Sequence, residues 1–301
     1  FIKPEKIKID IKQEDYQLLS YDRYVALNRG RLLSDKRSEV PAIIKYNNNK
    51  YEVKIRLRGH GWDHYNEDKK WSFKIKVKDK KTIFGMNEFS INHPKTRGYL
   101  NEYLFHKLLK KEGFLALRFD FINVSLNGID MGIYAIEEGI DKILVENNNY
   151  REGPVIKFND DLNWKTMRSN TFDLNENFLI SEIDAFQKLD PEIDSDKYEK
   201  FLVAKDLINS FRQGRLKTSE VFNVSKLAKL FALTELLGFH HATAFINIRF
   251  YYNPIISKLE PIGYDQTVID KLDIRGLYIE NIQKENFPKL WYNIFLDKKF
   301  I

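Results

Sequence analysis

The sequence predicts an α+β fold in which a β-rich part, residues 1–150 with one helix, precedes a mainly helical part, residues 151–301. Alternating apolar and polar residues in the first half predict strands, and apolar residues at helical spacing in the second half predict helices. The polar, turn-rich stretch NNNYREGPVIKFNDDLN, residues 147–163, lies where one pattern replaces the other. With 43% hydrophobic residues, the chain can build one large core or two lobes with a cleft between them.

Strict alternation predicts two strands in the first half. In YEVKIRLRG, residues 51–59, and in WSFKIKVK, residues 71–78, every second residue is apolar and the residues between are mainly basic. Lys74, Lys76 and Lys78 therefore share one face of the second strand. The long polar stretch GHGWDHYNEDKK connects the two strands.

One helix and one hairpin follow in the first half. In YLNEYLFHKLLKKEG, residues 99–113, leucines four positions apart predict an amphipathic helix that stops at Gly113. The dipeptide Asn127-Gly128 between two apolar runs predicts a tight β-hairpin.

The second half shows helical periodicity in three stretches, and Asn223 is a suitable N-cap for the third. A further helix is expected to begin near Phe287. The three stretches are ENFLISEIDAFQKL, DKYEKFLVAKDLINSFRQG and NVSKLAKLFALTELLGF.

A hairpin interrupts these helices. Its predicted strands are Asn247–Tyr252 and Lys258–Tyr264, joined through Asn253-Pro254. In that register Asn247 and Asp265 emerge at the same open end, beside the loop of residues 240–246. An amide oxygen and a carboxylate on rigid strand ends suit Mg²⁺, which accepts few protein ligands and takes the rest from phosphate and water. The alternative is that both side chains only cap the strand ends through Asx-type bonds.

Charge and composition exclude several classes. The 49 basic and 43 acidic residues are interleaved without a basic block, so we expect no nucleic-acid partner. The absence of cysteine excludes disulfides, cysteine zinc sites and a cysteine nucleophile. No apolar run approaches the ~18 residues of a membrane span, so we expect no transmembrane segment. Because the chain starts at Phe1 and ends within a pattern, we interpret it as a fragment that is truncated at its C-terminus.

Five segments in order resemble the CotH kinase family over about residues 41–270. They are PAIIKYNNNKYEVKIRLRGHG, KKWSFKIKV, FGMNEFSINH, VSLNGIDMGIYAIEEGID and NIRFYYNPIISKLEPIGYDQT. The resemblance implies a protein-kinase-like fold with a β-rich N-terminal lobe and a mainly α-helical C-terminal lobe. It also implies ATP and Mg²⁺ as cofactors, a protein substrate in the coat or envelope, and a location at the cell surface or envelope.

The resemblance assigns roles to individual residues. Lys74 matches the lysine that reaches the nucleotide phosphates, and Arg58 the strand end before the phosphate-covering loop. Asn247 and Asp265 match the metal ligands, and we expect Lys74 to converge with them on one cleft. Without the resemblance, the lysines on the same side of the strand as Lys74 are simply solvated surface residues. Arg58-Gly59 is then the end of a strand followed by a turn.

Two glutamates complete the predicted nucleotide site. Glu138 matches the glutamate that follows the G-x-Y motif of the family, although by itself it is an exposed acid at a strand end. Glu102, on the predicted helix, is a candidate partner for Lys74, similar to the helix glutamate of kinases.

The catalytic loop departs from the family pattern. The family usually has an aspartate about five residues before the asparagine, where this chain has Ala242, and GFHHATAFIN contains no carboxylate. His241 is the candidate replacement base because imidazole titrates near neutrality. Three readings stay open: a kinase with a substituted base, a pseudokinase that serves as a coat or envelope assembly module, and a β-rich module whose basic faces meet an acidic polymer.

Overall fold

A computed structural model of the chain shows two compact units. Unit 1 comprises Phe1–His106 and Leu117–Leu144, and unit 2 comprises Lys107–Ala116 and Val145–Ile301. The structure describes residues 4–33, 37–166, 173–237, 240–266 and 288–300.

Unit 1 is built on a closed seven-stranded barrel. Neighbouring strands run antiparallel, except that β1 and β6 pair in parallel and close the barrel. The order around the barrel is β1-β2-β3-β4-β5-β7-β6. The strands are β1 Lys6–Asp10, β2 Val40–Tyr46, β3 Asn49–Leu57, β4 Phe73–Val77, β5 Glu88–Asn92, β6 Phe119–Leu126 and β7 Ile129–Glu138.

The alternation predicted for the first half is confirmed. Apolar residues of β3 and β4, such as Ile55 and Ile75, lie opposite each other and are fully buried in the barrel core. The basic residues between them, such as Lys76, point to the outside. Burial of every second side chain is what a closed barrel with a packed interior requires.

Unit 1 also contains helix α1, Gln13–Arg29, which sequence analysis did not predict. Only Leu19 and Ala26 of this helix are buried, so its sequence carries almost no apolar periodicity. The hairpin predicted at Asn127-Gly128 is confirmed: both residues have positive φ angles, 48° and 82°, as the favoured two-residue turn demands.

Helix α2, Asn101–Lys111, confirms the predicted helix but not its predicted apolar face. Leu100 just before the helix and Leu104 within it are 61% and 51% exposed. The buried positions are instead Phe105 and Leu109 together with the polar residues Glu102 and His106. The leucine spacing misidentified the face because polar side chains that bond each other can occupy buried positions.

Unit 2 contains a four-stranded antiparallel sheet of order β11-β10-β8-β9. Its strands are β8 Val155–Phe158, β9 Ile183–Ala185, β10 Arg249–Asn253 and β11 Lys258–Ile262. Further helices follow α2. The first of them, α3, belongs to unit 1 as far as Leu144 and to unit 2 from Val145. These helices are α3 Lys142–Asn147, α4 Asp161–Thr166, α5 Leu174–Ile180, α6 Ser195–Arg212, α7 Thr218–Val221, α8 Val224–Leu236 and α9 Lys289–Phe295.

The predicted protein-kinase-like fold with a mainly helical C-terminal lobe is wrong. The first unit is a closed barrel, and the second carries a sheet of its own. One reason lies in ENFLISEIDAFQKL, predicted as a single helix: helix α5 ends at Ile180 and strand β9 follows at Ile183. Strand β8 lies within residues 147–163, whose polar, turn-rich composition indicated only a boundary between the two halves of the chain.

The other helix predictions fare better. Helices α6 and α8 confirm the second and third periodic stretches, and the Asn223 side chain caps α8 by accepting a hydrogen bond from the Lys226 N–H at 3.3 Å. The helix expected to begin near Phe287 is confirmed as α9, which begins at Lys289 after the N-cap residue Pro288; Phe287 itself lies outside the described residues. None of the helices in the described ranges has the length and apolar character needed to cross a membrane.

Candidate functional site

The β10–β11 hairpin of unit 2 positions the candidate metal ligands. Its ladder runs from Asn253 opposite Lys258 to Arg249 opposite Ile262, so both strands stop two residues short of the predicted ends. Asn247 and Asp265 therefore lie in the segments just beyond the ladder, at its open end.

The loop before β10 holds Asn247 in place. A short 3-10 turn, His241–Thr243, is followed by hydrogen bonds from the Asn247 backbone N–H to Ala244 O at 2.9 Å and from its side-chain Nδ2 to His241 O at 3.3 Å. The amide nitrogen is thereby engaged, and Oδ1 is the atom left to accept a bond or coordinate a cation. This local bond also agrees with the Asx-type alternative.

Asp265 lies close to the His241 side chain. The His241 Nε2 atom is 3.8 Å from Asp265 Oδ2, and the two side chains are 41% and 20% exposed. Asp265 has a φ of 56°, a left-handed conformation that is uncommon for residues other than glycine. The structure thus brings together His241, Asn247 and Asp265, three of the predicted site residues.

A buried arginine, which sequence analysis missed, supplies positive charge beside this cluster. Arg249 packs over the Tyr264 ring at 5.4 Å and donates hydrogen bonds to Ile246 O and Ile248 O. Burial lowers the pKa of its guanidinium, while Tyr264, Asp160 and Asp265 act in the opposite direction. The sequence feature that could have identified Arg249 is its position as a basic residue within the apolar run NIRFYY.

Ala242, at the position where the family resemblance leads us to expect an aspartate, is fully buried. The turn around it is tied down: Thr243 Oγ1 donates to His240 O at 2.9 Å, and Trp291 Nε1 donates to Thr243 O at 2.9 Å. A carboxylate in place of the Ala242 methyl group would have to enter this buried turn.

Two side chains of the unit 2 cluster carry oxygen donors of the kind that Mg²⁺ prefers. Asp265 offers a carboxylate and Asn247 an amide oxygen, both hard donors. In the described part of the chain, no group of three or more histidine, aspartate or glutamate side chains is arranged to hold a metal. The chain would therefore supply few ligands, as Mg²⁺ commonly tolerates.

In unit 1, Lys74 pairs with a glutamate other than the predicted one. Its Nζ lies 2.5 Å from Glu88 Oε1 of the neighbouring strand, and the two side chains are 27% and 20% exposed. Burial lowers the pKa of Lys74. The Glu88 carboxylate acts to raise this pKa, whereas the charges of Arg56 and Arg58 lower it further. The predicted Glu102–Lys74 pair is wrong: Glu102 is fully buried and contacts His106 Nε2 at 3.1 Å.

Arg58 lies in a buried ion network. It donates to Glu137 at 2.6 Å and 3.0 Å and to Asn92 Oδ1 at 3.0 Å, and Arg97 Nε donates to Glu137 at 2.9 Å. Burial by itself would raise the Glu137 pKa, but the Arg58 and Arg97 charges outweigh it and hold the pKa below its usual range. The predicted phosphate contact of Arg58 stays a prediction, and the bonds observed give Arg58 a structural role.

The residue after Arg58 has to be glycine for a physical reason. Gly59 has a φ of 84°, and a Cβ atom built there would lie 2.0 Å from Cδ2 of His64. Both the backbone conformation and the close approach of the imidazole ring exclude a larger side chain.

Glu138 is buried rather than exposed. It accepts a hydrogen bond from the Arg118 backbone N–H at 2.9 Å and forms an ion pair with the Arg118 guanidinium. Nearby, Asp141 accepts a bond from the Leu144 N–H at 3.0 Å. Burial, reinforced by Glu138 and Glu88, raises the pKa of Asp141 to about 6. Asp141 is the last residue of the segment VSLNGIDMGIYAIEEGID that carries the family resemblance, and this position was the signal that could have singled it out.

Comparisons with known proteins agree on one family. A family model described as CotH kinase protein matches residues 55–265. The protein named inner spore coat protein H from Bacillus subtilis (strain 168) is 23% identical over 271 residues, which cover 87% of this chain and 71% of that protein.

Proposed function

Because the chain belongs to the CotH kinase protein family, we propose that it is a magnesium-dependent enzyme that transfers phosphate from ATP to a protein hydroxyl group. We place the acceptor in a spore coat or cell envelope, as the name of the similar coat protein suggests. The observation that supports this proposal is the cluster of His241, Asn247 and Asp265 at the open end of one hairpin.

Each residue of the cluster has a chemical task. The imidazole of His241 accepts the proton of the acceptor hydroxyl, whose oxygen then attacks the γ-phosphorus while ADP leaves. Asp265, 3.8 Å from Nε2, and the Asn247 Oδ1 atom would hold the magnesium ion. A bound magnesium ion neutralises charge on the phosphate oxygens.

For Lys74 we keep the prediction from the family resemblance that its ammonium group compensates phosphate charge. A lysine held 2.5 Å from a carboxylate, as Lys74 is by Glu88, resembles the lysine–glutamate pair on which kinases depend. Glu88 thus takes the place that sequence analysis gave to Glu102. Lys74→Met tests this residue independently of the unit 2 cluster.

The pH dependence of phosphoryl transfer tests the base. With labelled ATP and self-phosphorylation as readout, wild-type activity should fall toward acidic pH, because a protonated imidazole cannot accept the hydroxyl proton. His241→Ala should lower kcat by about 10²–10⁴. His93→Ala is a matched control, since His93 lies in unit 1 and only caps a turn. Equal, pH-independent activity in wild type and His241→Ala would contradict the role of His241.

A second candidate function is an assembly module without catalysis. The specific observation in its favour is Ala242, which replaces the family aspartate inside a buried turn and leaves the loop without a carboxylate. This function predicts no transfer in the wild type at any pH and no loss of assembly in His241→Ala.

A further inference from the structure

The outer face of strands β1–β4 carries a dense set of exposed basic side chains. Alternation directs these residues outward while their neighbours fill the barrel core. We call the exposed set the lysine face; it consists of Lys8, Lys45, Lys50, Lys54 and Lys76.

The strand register sets like charges directly opposite one another. Lys8 lies opposite Lys45, Lys45 opposite Lys50, and Lys54 opposite Lys76. Side chains in such positions are about 5 Å apart at Cβ, and like charges there destabilise a sheet. The lysine face therefore works against the stability of the barrel.

Neither the architecture nor local ion pairing accounts for this cost. Lysines often protect the open edges of sheets from aggregation, but this barrel is closed by β1 and β6 and has no such edge. Lys45 pairs with Asp10 at 2.7 Å and Lys54 with Glu39 at 3.0 Å. Within the residues that the structure describes, the other three lysines form no salt bridge with an acidic side chain. Positive charge remains available on the surface.

We propose that the lysine face binds an acidic segment of a partner polypeptide. The two existing ion pairs show that carboxylates can contact lysines of this face, at 2.7 Å for Lys45 and 3.0 Å for Lys54. The face is made of lysine, a point charge, rather than arginine, whose planar fork is the usual choice for recognising phosphate. Like-charge repulsion would be relieved when carboxylates of the partner lie between the lysines.

Other polyanions fit this surface less well. The outward positions of β1–β4 include no aromatic side chain, whereas single-stranded nucleic acids need aromatic platforms for base stacking. The apolar outward residues are Pro41 and Ile43, too few for the apolar insertion that surface-bound membrane proteins use. This inference does not depend on phosphoryl transfer.

Fluorescence anisotropy with labelled poly-L-glutamate tests the proposal. The full chain should bind the probe at 50 mM salt and release it as salt screens the charges. The variant Lys8→Gln/Lys50→Gln/Lys76→Gln, which keeps the ion pairs of Lys45 and Lys54, should raise Kd about tenfold, the sum of three modest surface contacts. The control Lys110→Gln/Lys188→Gln/Lys298→Gln removes the same charge from exposed sites in unit 2 and should change Kd less than about twofold.

Competition and stability complete the test. Polyphosphate, single-stranded DNA and phosphatidylglycerol vesicles should displace the probe less well than unlabelled poly-L-glutamate at equal charge. The lysine-face variant should keep or raise its Tm, since like-charge pairs are removed. Equal loss of binding in both variants, tighter binding of another polyanion, or a lower Tm of the lysine-face variant would each overturn the proposal.

Discussion

Replacing Glu137 with glutamine should reveal how much the buried ion network of unit 1 stabilises the barrel. The Glu137 side chain is 1% exposed and accepts charged hydrogen bonds from Arg58 and Arg97. Glu137→Gln keeps the shape but removes the negative charge that both buried guanidinium groups contact. Removing one partner of a buried ion pair typically costs about 3–5 kcal/mol, a large part of the ~5–15 kcal/mol that stabilises a domain.

Native-state hydrogen exchange read by mass spectrometry isolates the effect in unit 1. Peptides that cover β3 and β7 should lose about 3–5 kcal/mol of protection in Glu137→Gln. Glu52→Gln is the control: its carboxylate pairs with Lys78 at 3.3 Å but is 64% exposed, so its loss should cost less than about 1 kcal/mol. A loss below about 1 kcal/mol for Glu137→Gln would refute the reasoning, because the network would then contribute no more than a surface pair.

The remaining predictions concern Asp141, Ala242 and Gly59. Since burial raises the pKa of Asp141 to about 6, folding binds a proton between about pH 4 and pH 6, and stability should fall as the pH rises through that window. Asp141→Asn removes this penalty and should raise the Tm by a few degrees at pH 7.5 but not at pH 4.5, measured by thermal denaturation; an equal gain at both pH values would contradict it. Ala242→Asp places a carboxylate in a fully buried turn and should lower the Tm by several degrees, whereas Ala244→Asp, at a half-buried position, should change it little. Gly59→Ala should unfold or rearrange the turn after Arg58, because its Cβ would lie 2.0 Å from the His64 ring; an unchanged Tm would show that the ring moves away freely.

Local patterns predicted the elements whose sequence and environment agree. The β3 and β4 strands, the Asn127-Gly128 turn and helices α6 and α8 follow from periodicity and turn chemistry alone. Helix α1 was missed because it buries only two residues. Barrel closure was missed because the parallel pairing of β1 with β6 joins distant segments, and no local pattern encodes it.

The candidate site was predictable in part. Counting along the hairpin placed Asn247 and Asp265 at one end, and the structure adds that both contact His241. The partner of Lys74 was not predictable, because Glu88 reaches it across a strand pair that the sequence did not reveal. The analogy with the helix glutamate of kinases favoured Glu102 as the partner of Lys74. Glu102 is instead buried beside His106, and this burial depends on tertiary packing.

Calorimetric titration of the full chain with ATP and Mg²⁺ tests the proposed cluster most directly. Asp265→Asn deletes one proposed metal ligand, and Asp206→Asn removes the same charge from an exposed position on helix α6. The account predicts magnesium-dependent ATP binding by the wild type and by Asp206→Asn, and a loss of at least about tenfold in affinity, or 1.4 kcal/mol, for Asp265→Asn. Magnesium-dependent binding of equal affinity in all three proteins would contradict the assignment of Asp265 as a metal ligand.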